Sequence, residues 1–369
     1  MRAVYWTVTL LLVSGSASAM RVPLTTVFER LQAQNPNVFN PQIALVGDFQ
    51  ARVTDTGPEP ARTAIARELE LGIAADVDPF ARAEAYIAIE NEFGGHEEPP
   101  ALLSEAGHGS VVDIEEAFLT FHSLGNGFSA KVGKIAGAIG RMNRNHRDQL
   151  EFMEYPLAIR ELFGEEGLRA PGGSLSYLFP SDQFHELTFE ILSPEDGPTF
   201  AGADLGKPLF IGRYRTFFDF NADLTALAGA TYVNGPTEGG NRSQVYGVDY
   251  TMKWQPGVRG KSAILEAEAY WARPGSGVAP DRATRFGGFA ALTYEVAPRW
   301  FVTGKYDHAE LPDGSDTLRS YSLGLTYKLT EFQLIRAQAE RILSDVDADR
   351  TLITLQFQWV IGAHPAHKY

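Results

Sequence analysis

The sequence predicts an all-β fold, a transmembrane antiparallel up-and-down β-barrel with about 16 strands and a long third external loop. Three observations lead to this prediction. Segments of alternating apolar and polar residues recur along most of the chain, short and long connections between them alternate, and aromatic residues stand near many segment ends. After the N-terminus there is no run of the roughly 20 apolar residues that a membrane-spanning helix needs.

The alternation is clearest in a segment near the middle of the chain. Every second residue there is large and apolar, namely Tyr246, Val248, Tyr250, Met252 and Trp254. Glycine, aspartate, threonine and lysine stand between them. Because successive side chains of a strand point to opposite faces, one face is apolar and the other polar. The same pattern in 317–329 and 350–361 indicates a sheet with lipid on one side and water on the other.

About sixteen such segments are predicted, an even number as in bacterial barrels. They lie at 42–51, 62–75, 80–91, 111–122, 128–138, 173–180, 184–193, 208–220, 222–233, 243–254, 262–272, 283–296, 299–309, 317–329, 331–343 and 350–361. The short connections are rich in Gly, Pro, Asn and Asp, which set turn dihedrals. Short periplasmic turns and longer external loops are typical of these barrels, so both termini are expected on the periplasmic side.

A closed barrel is favoured over a soluble β-sandwich, in which the apolar faces would pack against each other. Lipid offers no hydrogen bonds, so every strand edge in a membrane must be paired, and closure removes the edges. Aromatic residues near strand ends suit the interfacial girdles of a membrane barrel. These residues are Tyr232, Trp254, Trp271, Trp300, Tyr306 and Trp359.

The N-terminus indicates export. Residues 1–19 contain Arg2, a short apolar run and a small-residue cleavage motif that ends at Ala19, which are the features of a signal peptide. An uncleaved membrane anchor is the alternative. We therefore expect cleavage after Ala19, a short periplasmic segment at 20–40, and a barrel at 41–369 in the outer membrane of a Gram-negative bacterium.

Composition narrows the function classes. The chain has no Cys, so it has no disulfide framework. Its net charge of -14 disfavours a nucleic-acid partner, whose backbone needs Lys and Arg. The acidity either favours cations in a water-filled lumen or only keeps the loops soluble. Gly-x-Ser-x-Gly, His-Glu-x-x-His and phosphate-loop motifs are missing, so no enzymatic activity is predicted.

The longest connection, 139–172, holds the candidate constriction. Basic and acidic residues are interspersed in it: Arg141, Arg144, Arg147, Asp148, Glu151, Glu154, Arg160, Glu161, Glu165 and Glu166. If this loop folds into the barrel, opposed charges would create a transverse field that sorts solutes by size and charge. A folded external cap, or a loop that packs on the wall with solvated charges, is the alternative.

Polar residues at inward positions of the predicted strands are expected to line the lumen. They are Lys253, Glu266, Glu268, Arg285, Lys305 and Lys328.

A weak metal site is the one cofactor hypothesis that the histidines suggest. His96, Glu97 and His108 lie together in 92–110, and imidazole with carboxylate can bind zinc. Their spacing matches no tight motif, so a solvated loop is the alternative. The remaining histidines before the C-terminal segment form no cluster in the sequence: His122, His146, His185 and His308.

Three blocks and the C-terminal end carry a family resemblance. The blocks contain Asn40-Pro41-Gln42-Ile43, Glu115-Glu116-Ala117-Phe118-Leu119, and Lys131-Val132-Gly133-Lys134 with its continuation to Leu168. They resemble an outer-membrane porin-like family related to the phosphate-selective porin O/P group, whose members are often labelled porins or zinc-regulated TonB-dependent receptors. The resemblance implies a barrel and an outer-membrane location, but no particular substrate.

The resemblance also has an implication for the longest connection, and the chain differs from the family in two respects. In general porins the third external loop folds into the barrel and narrows it, and 139–172 has the same ordinal place. Phosphate-selective relatives have a Lys/Arg-lined pore, whereas this chain is acidic. A TonB-dependent receptor needs a large plug and about 22 strands, for which 20–40 leaves no room.

Three functions remain open at this point. The leading hypothesis is passive diffusion of small hydrophilic solutes or ions through the barrel. The alternatives are a zinc-binding receptor or uptake protein without a plug, and a purely structural barrel. The expected partners are outer-membrane lipid, the solutes, the assembly machinery that would recognise the terminal Tyr369, and further copies in a homotrimer. The solute and the charge selectivity stay undetermined.

Overall fold

The computed structural model describes residues 41–55, 61–91, 111–122, 124–194, 196–238, 241–258 and 260–362. These residues form sixteen strands. The strands are β1 Gln42–Asp55, β2 Ala61–Asp78, β3 Ala81–Glu90, β4 Val111–Phe121, β5 Phe128–Ala136, β6 Arg169–Leu178, β7 His185–Leu192, β8 Leu209–Asn221, β9 Leu224–Pro236, β10 Arg242–Trp254, β11 Ala263–Arg273, β12 Arg285–Ala297, β13 Trp300–Glu310, β14 Thr317–Thr330, β15 Gln333–Ser344 and β16 Arg350–Gly362. No helix among the described residues is long and apolar enough to cross a membrane.

The strands form one closed antiparallel barrel. Each strand pairs with its neighbours in sequence, and β1 pairs with β16 to close the ring. This closing pair runs in continuous register from Ala44 opposite Gly362 to Asp55 opposite Thr351. Closure leaves no open strand edge, as lipid requires. The predicted all-β barrel of sixteen strands is therefore confirmed.

The two faces of the barrel differ in polarity, as β14 shows. Its outward residues Leu323 and Leu325 are 63% and 43% exposed. Its inward residues Ser320, Ser322 and Thr326 are buried. Since the exposed face carries the large apolar side chains, the barrel is built to stand in lipid with its polar face inside.

The connections separate a short-turn end of the barrel from a long-loop end. At the short-turn end, β4 and β5 are joined through Asn126, whose φ is 51°, a left-handed conformation that Asn tolerates. Aromatic pairs mark both ends: Trp300 and Tyr327 near the short turns, with ring centroids 4.6 Å apart, and Tyr306 and Tyr321 nearer the long loops, 5.0 Å apart. These pairs are placed as interfacial girdles.

The connection between β5 and β6, residues 137–168, is named the inserted loop because it folds into the barrel and packs against the inner face of the wall. It contains two single 3₁₀ turns, Met142–Arg144 and Arg147–Gln149, and the helix α1 at Leu157–Phe163. Its buried apolar side chains join inward-facing side chains of the wall in one core: Ile139, Met142, Phe152, Ile159, Leu162, Leu192, Ile211, Val233, Tyr270 and Phe289. The barrel therefore has an apolar core on part of its inner side.

The inserted loop differs in its limits from the predicted connection 139–172. β6 already begins at Arg169, which pairs with Ala136 of β5, and Pro171 pairs with Lys134. The predicted connection thus included Pro171 and Gly172, which belong to β6. In the barrel the neighbouring strands β5 and β7 hold these residues in extended pairing.

Glycine permits the close approach of α1 to the wall. A Cβ on Gly287 of β12 would lie 2.9 Å from Cδ1 of Leu162 and 3.2 Å from Cβ of Ala158. The absent side chain at Gly287 therefore leaves the space that α1 occupies.

Candidate functional site

On one side of the barrel, inward carboxylates hold the backbone of the inserted loop. Glu190 of β7 accepts a hydrogen bond from the Ala138 N–H at 2.7 Å. Glu268 of β11 accepts bonds from the N–H groups of Arg141 at 2.7 Å and Met142 at 2.8 Å. Buried backbone donors must find partners, and here the barrel wall supplies them.

On the other side, the wall donates to loop carbonyls. Arg336 of β15 donates to the Leu150 carbonyl at 2.9 Å. Gln358 of β16 donates to the Asp148 carbonyl at 3.1 Å. Since the contacts to β7 and β11 and those to β15 and β16 lie on different parts of the wall, the inserted loop crosses the lumen and narrows it.

Arg147 is the centre of a buried ion network. Its guanidinium donates to Glu68 of β2 at 3.0 Å, to Glu154 at 2.7 Å and to Glu166 at 3.0 Å. Glu154 also accepts a bond from Arg52 of β1 at 2.7 Å. Burial alone would raise the pKa of Glu154, but the surrounding guanidiniums, Arg147 foremost, hold that pKa at about 2. Charge pairing thus fastens the inserted loop to β1 and β2.

His146 lies among three carboxylates of the wall. Its Nδ1 is 2.6 Å from Oε2 of Glu115 and 3.2 Å from Oε2 of Glu70. Its Nε2 is 3.0 Å from Oε2 of Glu116, whose other oxygen accepts a bond from the Ala136 N–H at 2.6 Å. Burial alone would lower the pKa of His146, but these carboxylates raise it well above its ordinary value.

Among the described residues, two cavities next to the inserted loop lie towards the short-turn end. The larger has a volume of about 450 Å³ and is bounded by β10, β11, β14, β15 and β16. Its charged lining consists of Arg141, Asp148, Glu151, Lys253, Glu266, Lys328, Glu331 and Arg336. The smaller has a volume of about 250 Å³ against β4 to β8. Its charged lining consists of Lys131, Arg144, Glu186, Glu190 and Arg215.

The charges around the larger cavity are of both signs and partly paired. Arg141 forms an ion pair with Glu266. Lys328 Nζ lies 3.6 Å from a carboxylate oxygen of Glu151. The lining is therefore polar and mixed, and it suits hydrated solutes better than an apolar ligand.

The structure places the charged residues predicted for the constriction in three settings. Most take part in ion pairs within the inserted loop or with the wall: Arg141, Arg147, Glu154, Arg160, Glu165 and Glu166. Asp148 and Glu151 border the larger cavity, and Arg144 borders the smaller one. Glu161, on α1, borders a further cavity of about 210 Å³ that is also lined by residues of the long connections.

The residues predicted to line the lumen also separate into groups. Those that border the larger cavity are Lys253, Glu266 and Lys328. Glu268 and Lys305 point inward but are 4% and 6% exposed, because the inserted loop covers them. Arg285 pairs with Asp281 at 2.7 Å at the long-loop end.

Sequence reasoning missed the acidic wall that faces the inserted loop. It consists of Glu68, Glu70, Glu90, Glu115 and Glu116 on β2 to β4. His146, which showed no cluster in the sequence, lies against this wall. A signal for the wall was present, because Glu68 and Glu70 alternate with leucines and so occupy one face of a strand.

Several predictions lie outside the described residues. They are the signal peptide at 1–19, the segment 20–40, the weak metal site of His96, Glu97 and His108, and the terminal Tyr369.

Sequence comparison finds one related protein and no family model that matches. An uncharacterized protein of Aquifex aeolicus (strain VF5) is 28% identical over 298 residues. The match covers 69% of this chain and 63% of that protein, so the chain spans less than two thirds of its relative.

Solved structures share the architecture at low identity. OprB of Pseudomonas putida, in its high-pH structure, matches with a TM-score of 0.61 and 11% identity over 92% of this chain and 96% of that chain. The anion-selective porin of Comamonas acidovorans matches with a TM-score of 0.59 and 10% identity over 87% of this chain and 99% of that chain. The fold is shared with porins. In vitro folded OmpT of Vibrio cholerae, in its trimer form, matches with a TM-score of 0.53 and 11% identity over 87% of this chain and 99% of that chain. These similarities show a porin-type barrel fold.

Proposed function

We propose that this chain is an outer-membrane porin-like channel for the passive diffusion of small hydrophilic solutes or ions in a Gram-negative bacterium. One observation carries the proposal: a closed sixteen-strand barrel has an apolar outer face and a charged interior that the inserted loop narrows without filling. Such a wall needs lipid outside and water inside. The porin fold of the similar structures supports the same conclusion.

The route for solutes would pass the larger cavity. Lys253 and Lys328 border it with Glu151 and Glu331, so both signs of charge meet the solute. A constriction of mixed charge selects by size and weakly by charge. This lining supports a general small-solute channel over a phosphate-selective pore, although the sequence resembles relatives of the porin O/P group.

Conductance in a planar lipid bilayer tests this proposal. We expect the purified chain to give discrete conductance steps. The double variant Lys253→Glu and Lys328→Glu should shift the reversal potential in a salt gradient toward cation selectivity, because two cations of the route become anions. Arg341→Gln is the matched control, since Arg341 pairs with Asp349 at 2.8 Å near the last long connection.

One result would contradict the channel, and another would contradict the proposed route. Folded and inserted protein that conducts no ions would exclude a diffusion route. An unchanged reversal potential in the double variant, with conductance intact, would place the route away from the larger cavity.

The proposal also covers the insertion of the chain into the membrane and its oligomeric state. The apolar outer face would contact outer-membrane lipid, and the terminal Tyr369 would be recognised by the assembly machinery. We also propose a homotrimer, supported by the trimer form of the similar OmpT structure. Cross-linking in native membranes that yields monomers alone would contradict the trimer.

A further inference from the structure

His146 presents one ring nitrogen to two carboxylate oxygens of the barrel wall. Nδ1 lies 2.6 Å from Oε2 of Glu115 and 3.2 Å from Oε2 of Glu70. All three side chains are 6% exposed or less. A bare nitrogen lone pair is unfavourable against two buried carboxylates, so either a hydrogen on Nδ1 or a bound cation stands between these atoms.

The opposite ring nitrogen is fixed by a second partner. Nε2 lies 3.0 Å from Oε2 of Glu116, and the Ala136 N–H holds the other oxygen of that carboxylate at 2.6 Å. The ring of Tyr86 packs on the imidazole with centroids 4.4 Å apart. A histidine whose far N–H is oriented by a carboxylate is the usual arrangement of a metal-bound imidazole.

A proton on Nδ1 would satisfy only part of this cluster. It can be donated to one oxygen, and Oε2 of Glu115 is the nearer. Oε2 of Glu70 is buried, lies at the longer distance of 3.2 Å from the same nitrogen, and has no hydrogen bond of good geometry from any described residue. A buried carboxylate oxygen without a donor is costly. A divalent cation in the same place would contact all three atoms.

The charges around the cluster also leave room for a cation. The acidic members of the connected ion network are Glu68, Glu70, Glu90, Glu115, Glu116, Glu154 and Glu166. The cationic members are Arg52, Arg67, Arg147, Arg169 and His146. Arg169 reaches Glu115 only at 3.7 Å. Glu90 and Glu166 are hydrogen-bonded to each other and so share one proton, which leaves six carboxylates against five cations when His146 is counted as charged.

We propose that Glu70, Glu115 and His146 form a binding site for one divalent first-row transition-metal ion, with Zn²⁺ as the reference case. Imidazole with two carboxylates suits such ions, whereas Mg²⁺ and Ca²⁺ prefer oxygen ligands alone. Zinc bonds of about 2.0–2.2 Å separate tetrahedral ligand atoms by roughly 3.3–3.6 Å. The 3.2 Å from Glu70 to His146 is just below this range, and the Glu115 oxygen at 2.6 Å would have to move outward by about 0.7 Å.

The ion would join the inserted loop to the wall. His146 belongs to the loop, Glu70 to β2 and Glu115 to β4. The ion would thus fasten the inserted loop to β2 and β4 with residues other than the histidines predicted in 92–110. It does not depend on which solute, if any, the barrel conducts.

Metal retention is the first test. The background chain carries His96→Ala, His108→Ala, His364→Ala and His367→Ala, which removes the histidines outside the described residues. It is stripped with EDTA, incubated with Zn²⁺, passed through a desalting column and assayed by mass spectrometry of the metal. We expect about one zinc per chain, and a roughly tenfold loss in Glu70→Gln and in His146→Gln.

A matched carboxylate variant serves as the control. Glu186→Gln removes an inward carboxylate that pairs with Arg215 at 2.7 Å on another part of the wall, and it should retain the zinc. Equal retention in Glu70→Gln, His146→Gln and the background would overturn the site. So would a background chain that retains no zinc, since Nδ1 would then carry a proton.

A second measurement does not rely on folding of the variants. X-ray absorption of the zinc-loaded background chain should show a nitrogen and oxygen shell with one imidazole. The unfolding temperature of the same chain should rise with zinc concentration. A zinc coordination shell without imidazole, or an unfolding temperature that does not change with zinc concentration, would contradict the proposal.

Discussion

At the scale of single residues, the barrel interior is organised by charges that are paired rather than solvated. Arg147 alone contacts three carboxylates, and Glu154 joins it to Arg52. Removing one member of a buried pair leaves the other without compensation, which costs more than the pair contributes net. The position of the inserted loop should therefore depend on pH, because these carboxylates lose their charge when they are protonated.

Glu154→Gln tests this dependence. The pKa of Glu154 is lowered from 4.5 to about 2, so the carboxylate stabilises the fold fully above 4.5 and this stability is lost as pH falls toward 2. We expect the variant to lower the free energy of unfolding by about 3 kcal/mol at neutral pH. The difference from the unmodified chain should disappear near pH 2.

Urea unfolding in lipid across this pH range measures the difference. Glu165→Gln is the control, because Glu165 is 63% exposed and pairs with Arg160 of the same loop. Exposed pairs contribute little, so its effect should be small. A difference for Glu154→Gln that is independent of pH would show that the carboxylate acts only through packing.

At the scale of elements, strands were predictable and the structure of the inserted loop was not. β14 and β16 were expected at 317–329 and 350–361, and they span Thr317–Thr330 and Arg350–Gly362. Alternation is a local signal and needs no knowledge of the partner strand. α1 has only seven residues, and so short a helix is not stable alone. It exists because Leu162 and its neighbours are buried against the wall.

Gly287→Val tests the packing of α1. A Cβ at this position would already lie 2.9 Å from Leu162, and overpacking costs about 1–3 kcal/mol. We expect a lower free energy of unfolding and, because α1 is displaced, a changed single-channel conductance.

Gly304→Val is the matched control for this packing. A Cβ at Gly304 of β13 would meet nothing within 4 Å, so the substitution should be tolerated. Equal loss of stability in both variants would mean that valine disturbs the strands themselves rather than the packing of α1 against β12.

At the scale of the whole molecule, the outer face should behave as a surface dissolved in lipid. Leu355 lies at the middle of β16 and is 54% exposed, and Ile361 lies near its end and is 61% exposed. Lysine on the lipid face costs about 2–4 kcal/mol at the bilayer midplane and about 0–1 near the interface. Leu355→Lys should therefore destabilise the folded barrel in vesicles far more than Ile361→Lys.

The comparison of these two variants decides the environment of the barrel. Folding into lipid vesicles, followed by urea titration, measures both costs. Equal costs at the two positions would mean that depth does not matter, and the outer face would not be a membrane surface.

The sequence by itself determined the barrel class, the approximate strands and the charged composition of the longest connection, since alternation and turn residues act over a few neighbours. Tertiary structure alone decided that residues 137–168 enter the lumen, that Glu70, Glu115 and His146 meet, and that Glu268 and Lys305 are covered. These contacts join residues far apart in the chain, from strands whose places are set only when β1 pairs with β16. Ring closure brings them together.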